Sequence, residues 1–169
     1  MQNGKTMLTL DDIWKMLSEI PDPDIPVVSI TDLGLVRKVD ADDQKITVSL
    51  TPSYSGCPAM KFFQQEIVTA LKEKDPRPVE LKTVFFPAWT TDWISDSAKE
   101  KMRKHGIAPP EKVPVTSRTA LFGETQHNVH CPWCNSEDTK RTSQFGSTPC
   151  KAIWFCNACQ QPFEYFKCY

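Results

Sequence analysis

Apolar residues recur at helical spacing from Thr9 onward: Ile13, Met16, Leu17 and Ile20 share one face, Thr9 stands where it can cap, and Asp11 and Asp12 sit at the positive end of the dipole. Pro21 ends this helix. Asp22-Pro23-Asp24-Ile25-Pro26 cannot extend it, because each proline lacks a donor and pushes the residue before it toward extended backbone. The segment is therefore a rigid loop presenting two carboxylates, Asp22 and Asp24. They either bind a metal or cap a helix begun at Ser29-Ile30-Thr31-Asp32, and the sequence favours the cap. Gly34 releases the chain into a strand from Leu35 to Val39, which the polar run Asp40 to Gln44 turns back. Lys45 to Leu50 then alternates Ile46, Val48 and Leu50 with Thr47 and Ser49, the pattern of a strand with one buried face. The two strands form a hairpin.

Thr51-Pro52-Ser53-Tyr54-Ser55-Gly56-Cys57-Pro58 leads into a helix whose apolar face carries Met60, Phe63, Ile67, Ala70 and Leu71. Asp75-Pro76-Arg77-Pro78 closes it. Val79 to Phe86 reads as a third strand with Val79, Leu81, Thr83 and Phe85 on one side, and the helical crossover predicts that it runs parallel to the second. Trp89 and Trp93 follow; they form a lid over the Cys57 loop, a partner surface or part of the core, and core is the commoner use of such aromatics. Ser95 caps a last helix that runs to about His105 and turns Ala98 and Met102 inward, and Gly106 stops it. From Ile107 to Gln126 neither helical nor strand periodicity appears. Candidate strands resume at Thr139 to Phe145, Ala152 to Phe155 and Pro162 to Phe166.

This pattern predicts an α+β chain with domains at 1–107 and 128–169 and a linker at 108–127. The first domain is a small α/β unit, a three-stranded mixed sheet with flanking helices. The second is a β-rich module like a zinc ribbon. Its size sharpens the reading: about 40 residues cannot fold on an apolar core alone, so a metal must supply much of the stability.

Two Cys-x-x-Cys pairs, Cys131-Pro132-Trp133-Cys134 and Cys156-Asn157-Ala158-Cys159, provide for that metal. Two residues between cysteines is the spacing of a tight turn with both sulfurs facing one point, and two such turns make the four-thiolate cage that structural zinc prefers. A redox role would need a strand-to-helix context, and neither pair opens a helical pattern. His127 and His130 are also potential ligands, but four cysteines already saturate the site. Cys150 and Cys168 are additional thiols outside the pairs, able to replace a ligand or to join Cys57 in a second site.

Cys57 stands apart. Gly56 and Pro58 place it at a helix N-terminus, where the dipole favours thiolate and a reactive thiol below the ordinary cysteine pKa; the competing reading is a small buried hydrophobe. Charge narrows the partners. With net charge −1 and basic residues scattered among acidic ones, the chain lacks the electrostatic footprint of nucleic-acid binding, and a nucleic-acid-binding ribbon is the weakest functional reading. No apolar run of about 18 residues suggests a membrane span, and the first residues lack a signal-peptide pattern, so the expected location is the cytoplasm. There the seven cysteines are read as ligands or thiols before disulfides.

Asp22-Pro23-Asp24-Ile25-Pro26-Val27, Ile30-Thr31-Asp32-Leu33-Gly34, Gly56-Cys57-Pro58 and Pro87-Ala88-Trp89-Thr90 resemble the metal-sulfur cluster assembly factor family. Adding Tyr54-Ser55-Gly56-Cys57-Pro58-Ala59, Ala88-Trp89-Thr90-Thr91-Asp92-Trp93, Phe145-Gly146-Ser147-Thr148, Cys150-Lys151-Ala152 and Phe166-Lys167-Cys168, nearly the whole chain resembles the PaaD family, accessory components of bacterial phenylacetyl-CoA epoxidases. The resemblance implies an accessory protein of aerobic phenylacetate catabolism, not an enzyme, that helps assemble an iron or iron-sulfur centre. Its implied partners are the oxygenase or reductase subunits or both, its cofactors ribbon zinc and a transient iron or iron-sulfur cluster, and its working residues Cys57 with Asp22 and Asp24. A stably bound docking subunit is the alternative. The chain itself holds neither the two Glu-x-x-His motifs of a diiron site, having one alone at Glu124 to His127, nor a Gly-rich dinucleotide fingerprint.

Overall fold

In the computed structural model, which describes residues 7–111 and 129–167, the Thr9 side chain accepts from the Asp12 N–H and Asp12 reaches back to the Thr9 N–H, a complete capping box. It opens α1 (Leu10–Ser18), which buries Ile13 and Leu17. The expected helix at Ser29 is absent. Ser29 and Asp32 do exchange side-chain-to-backbone hydrogen bonds, but they close a single turn, which Gly34 ends at a φ of +68°. A Cβ on Gly34 would stand 2.7 Å from the Trp93 Cβ, so glycine is required there by space as well as by backbone.

Next come β1 (Val36–Ala41) and β2 (Ile46–Leu50), antiparallel as the hairpin pattern predicts, then α2 (Ala59–Lys74) and β3 (Val79–Thr83), parallel to β2. The strand order β1-β2-β3 puts β2 in the middle. All five of its residues are buried, Thr47 and Ser49 included, which corrects the one-faced reading of its alternation. β3 stops at Thr83 rather than Phe86, leaving Phe85 and Phe86 exposed. Ile13, Leu17, Ile46, Val48, Leu50, Phe63, Ile67 and Leu71, each at most 1% exposed, form the core of this unit.

One buried ion pair ties its periphery. Asp75 accepts from the Leu8 N–H and pairs with the Arg77 guanidinium at 2.6 Å, while Arg77 donates to the carbonyls of Asp42 and Leu8. The Asp-Pro-Arg-Pro segment thus clamps the start of α1 and the β1–β2 turn, where the sequence suggests only a helix end.

The chain divides into two compact units, residues 1–98 and 99–168, which meet inside α3 (Asp96–Lys104). Ser95 caps α3 by accepting from the Ala98 N–H, and Ala98 and Met102 are buried as expected. Ile107–Ala108, placed by sequence at the linker's start, instead form β4, parallel to the last strand, β7 (Pro162–Phe166). The second sheet runs β4-β7-β6-β5, with β5 (Thr139–Ser143), β6 (Lys151–Cys156) and β7 (Pro162–Phe166) antiparallel in turn. Most of the expected linker, with His127 and Cys168, lies outside the described residues.

Candidate functional site

The two Cys-x-x-Cys segments adopt the same local structure. In one, the Asn135 N–H donates to Cys131 O and the Cys131 N–H to Ser136 O; in the other, the Gln160 N–H donates to Cys156 O and the Cys156 N–H to Gln161 O. Each turn is followed by a residue of positive φ, Asn135 at +60° and Gln160 at +59°. Two equivalent knuckles therefore face each other. Asn157 joins them, its N–H and side-chain amide donating to the carbonyl and carboxylate of Asp138.

The four sulfurs lie within 4.8 Å of one another, with Cys131 and Cys159 at 3.7 Å and Cys134 and Cys156 at 3.6 Å. A tetrahedron with metal-sulfur bonds of about 2.3 Å has edges of about 3.8 Å, so this donor set fits a four-coordinate metal ion. Its electrostatics agree. Burial pushes the Cys131 thiol up and the Cys159 thiol to about 12, whereas at Cys156 the Cys159 N–H and the Cys134 side chain outweigh burial and bring it down to about 7. Four clustered thiols cannot all ionise without a cation among them. Cys131 and Cys156 also belong to the small core of this unit with Ala108, Val129 and Phe163, so the cluster is part of the packing.

Cys150 is buried outside that set, its sulfur 3.0 Å from the Thr148 hydroxyl. His130 is held by Glu111 and Glu137, whose carboxylates raise its pKa, and is no ligand here. Of the ribbon's basic residues, Lys151 is buried against Glu164 at 2.8 Å, which leaves still less positive surface for a nucleic acid.

Cys57 stands just before α2, its N–H donating to Tyr54 O and its carbonyl accepting from Met60. Asp22 is buried, and its Oδ1 accepts from the Asp24 and Ile25 N–H groups at 2.8 Å each, so it caps its own turn and not a helix at Ser29. It lies near enough to act on Cys57. Burial pushes this thiol's pKa up and the Asp22 carboxylate adds to the rise, against the Ala59 N–H, the Ser53 side chain and the Met60 N–H. The expectation of a depressed pKa is thus corrected: desolvation exceeds the lowering by the N–H groups at the helix start. Sequence reasoning missed Ser53, four residues before the thiol. Asp24, half-buried, follows Asp22 in the same turn.

The tryptophans divide. Trp89 is 5% exposed and donates to Leu33 O at 2.8 Å, so it is a core residue and not a partner surface. Trp93 is half-buried beneath the Arg37 guanidinium, 3.7 Å from its ring centroid.

A family model described as an iron-sulfur cluster assembly protein matches residues 10–80, and one described as the PaaD zinc beta ribbon domain matches residues 115–167. An "Fe-S protein maturation auxiliary factor" of Porphyromonas gingivalis is 34% identical over 57% of this chain and 92% of its own. The solved structure of a domain of unknown function, DUF59, from Bacillus anthracis is similar over 53% of this chain and 86% of its own, at 27% identity and a TM-score of 0.49. An Escherichia coli protein named as the putative D component of a 1,2-phenylacetyl-CoA epoxidase is 43% identical over 93% of this chain and 92% of its own. At that identity across both of its units, the chain belongs to the PaaD family.

Proposed function

We propose that this protein is an accessory factor, without catalytic turnover of its own, that assists assembly of an iron or iron-sulfur centre in a phenylacetyl-CoA epoxidase of aerobic phenylacetate catabolism. The observation that carries the reading is the half-buried Cys57 thiol at the start of α2, with the Asp22 carboxylate near enough to raise its pKa, within the part of the chain matched by the iron-sulfur assembly model. Iron, as ion or cluster, is the cargo. Burial and Asp22 keep the thiol protonated when no cation is near. An arriving cation reverses both effects, attracting the carboxylate and lowering the thiol pKa, so cargo capture releases a proton.

The ribbon, through Cys131, Cys134, Cys156 and Cys159, holds zinc as a structural ion and serves as a docking module. Zinc suits a closed four-thiolate site with no redox partner beside it. In this division residues 1–107 handle the cargo and 128–169 carry the ribbon. The partners are the oxygenase and reductase subunits, and the site of action is the cytoplasm.

The alternative of a stably docked subunit draws on a different observation: Trp133 and Phe145 of the second unit are 54% and 60% exposed. Epoxidase produced without this protein separates the two readings. The assembly reading expects an enzyme poor in iron, restored by the protein with an iron source and not by its C57S variant. An iron-replete, active enzyme made in its absence defeats that reading.

A further inference from the structure

Strand β3 ends the first sheet, and among the described residues no strand pairs its outer edge. The Val84 N–H donates to Leu50 O and Pro78 O accepts from the Ile46 N–H, so the even-numbered residues direct their backbone groups at β2. Val79, Leu81 and Thr83 consequently turn theirs outward. None of these three is proline, and the prolines at 76, 78 and 87 lie outside the strand. The edge is a complete row of donors and acceptors with no proline to interrupt it, and its two charged residues, Glu80 and Lys82, are of opposite sign.

Its side chains sort by face. Leu81 lines an open groove of about 390 Å³ along α2 with Lys61, Gln64, Gln65, Val68 and Thr69. On the opposite face Glu80 meets Lys45 at 2.6 Å and Lys82 at 3.7 Å. We propose that β3 pairs antiparallel with β3 of a second copy of this chain, about a two-fold axis at Leu81, so that the two three-stranded sheets become one.

The charges select both the occupant and the register. With Leu81 opposite Leu81, Glu80 faces Lys82 of the second copy and Lys82 faces its Glu80, two favourable cross-strand pairs. An axis at Val79 or at Thr83 brings together neither pair. The edge carries one charge of each sign, so a segment of uniform charge would meet a like charge at Glu80 or at Lys82. Pairing at Leu81 also matches the outward backbone groups of residues 79, 81 and 83 to those of 83, 81 and 79. It sets the two grooves side by side, with Leu81 meeting Leu81 and Val68 behind each. Phe85 and Phe86, 65% and 87% exposed, extend the apolar surface at the end of the same strand.

The test is the mass of the full chain in solution as a function of concentration, by sedimentation equilibrium, with hydrogen exchange at the amides of residues 79, 81 and 83. A dimer is expected, with those amides protected in step with the doubling of mass. E80K and K82E should each weaken it by about tenfold or more, because each sets like charges opposite one another twice. The double variant E80K/K82E should restore it, since the exchanged pair is again self-complementary. A single-chain mass at every concentration overturns the proposal. So does a dimer that both single variants leave intact, a double variant that stays monomeric, or edge amides protected without any change of mass.

Discussion

The two units keep their shape by different means. In the first, large apolar side chains at 1% exposure or less make a core that needs no ligand, and polar clamps such as Asp75 with Arg77 act around it. In the second, two of the five residues of the central cluster are the thiols Cys131 and Cys156. Small size explains the difference. A segment this short buries too little apolar surface to offset chain entropy, so the interior is completed by groups that bind a metal.

The largest expected effect is metal loss from the second unit. Structural zinc in small modules contributes about 10 to 16 kcal/mol of apparent binding energy at pH 7, so chelation or C156S should unfold the ribbon while the first unit stays folded. Metal content measured together with amide exchange in the two units checks this. Joint unfolding of both, or full metal retention by C156S, breaks the comparison, and retention would transfer the ligand role to Cys150.

In the first unit the largest effect should follow from D75N. It leaves the buried Arg77 charge without its partner, which costs about 3 to 5 kcal/mol, read as a lower denaturation midpoint of that unit alone. The Arg77 guanidinium holds the Asp75 carboxyl far below the usual range. Because the folded pKa is depressed, this stabilisation is complete above the unfolded value of about 3.9 and fades as pH falls below it. Acid unfolding of the first unit should thus begin below about pH 4 in the wild type and lose that steepness in D75N.

A smaller effect belongs to G106A. Gly106 has a φ of +75°, and a Cβ there would lie 2.2 Å from the Trp133 ring, so the substitution combines backbone strain with displacement of the indole from the first knuckle. A loss of about 1 to 3 kcal/mol in the second unit is expected, together with a change in Trp133 fluorescence. Wild-type stability of G106A would remove Trp133 from the packing of the knuckle.

The smallest effect on stability should come from Cys57. C57S is nearly isosteric and should shift the midpoint of the first unit by less than about 1 kcal/mol while abolishing support of the epoxidase. Alkylation gives the electrostatic check. The rate at Cys57 should rise through a midpoint above the ordinary cysteine value of about 8.5, and D22N, by removing a nearby negative charge, should lower that midpoint. An unchanged midpoint in D22N would separate the carboxylate from the thiol.

Much of this was legible in the chain. The capping box at Thr9, the hairpin, the parallel crossover and the four ribbon thiols all follow from residues within a few positions of one another, and the structure agrees at each. The legible part ends where distant residues set the surroundings. Thr47 and Ser49 read as solvent-facing by alternation, yet both faces of their strand are covered and they lie in the interior. Ile107 and Ala108 showed no strand period because two residues are too few to carry one, and only β7 makes them a strand.

By itself the sequence determined most of the helices and strands, where the longer ones cap and break, and which thiols converge, because these depend on backbone preference and on spacings of two to four residues. Tertiary structure alone decided burial and charge state. Trp89 became core through a carbonyl 56 positions away, Asp75 and Arg77 became a clamp through Leu8 at separations of 67 and 69, and the Cys57 thiol, read locally as acidic, was pushed up by burial and by Asp22. Desolvation and charge act through space, and no local pattern records which distant groups folding will bring near.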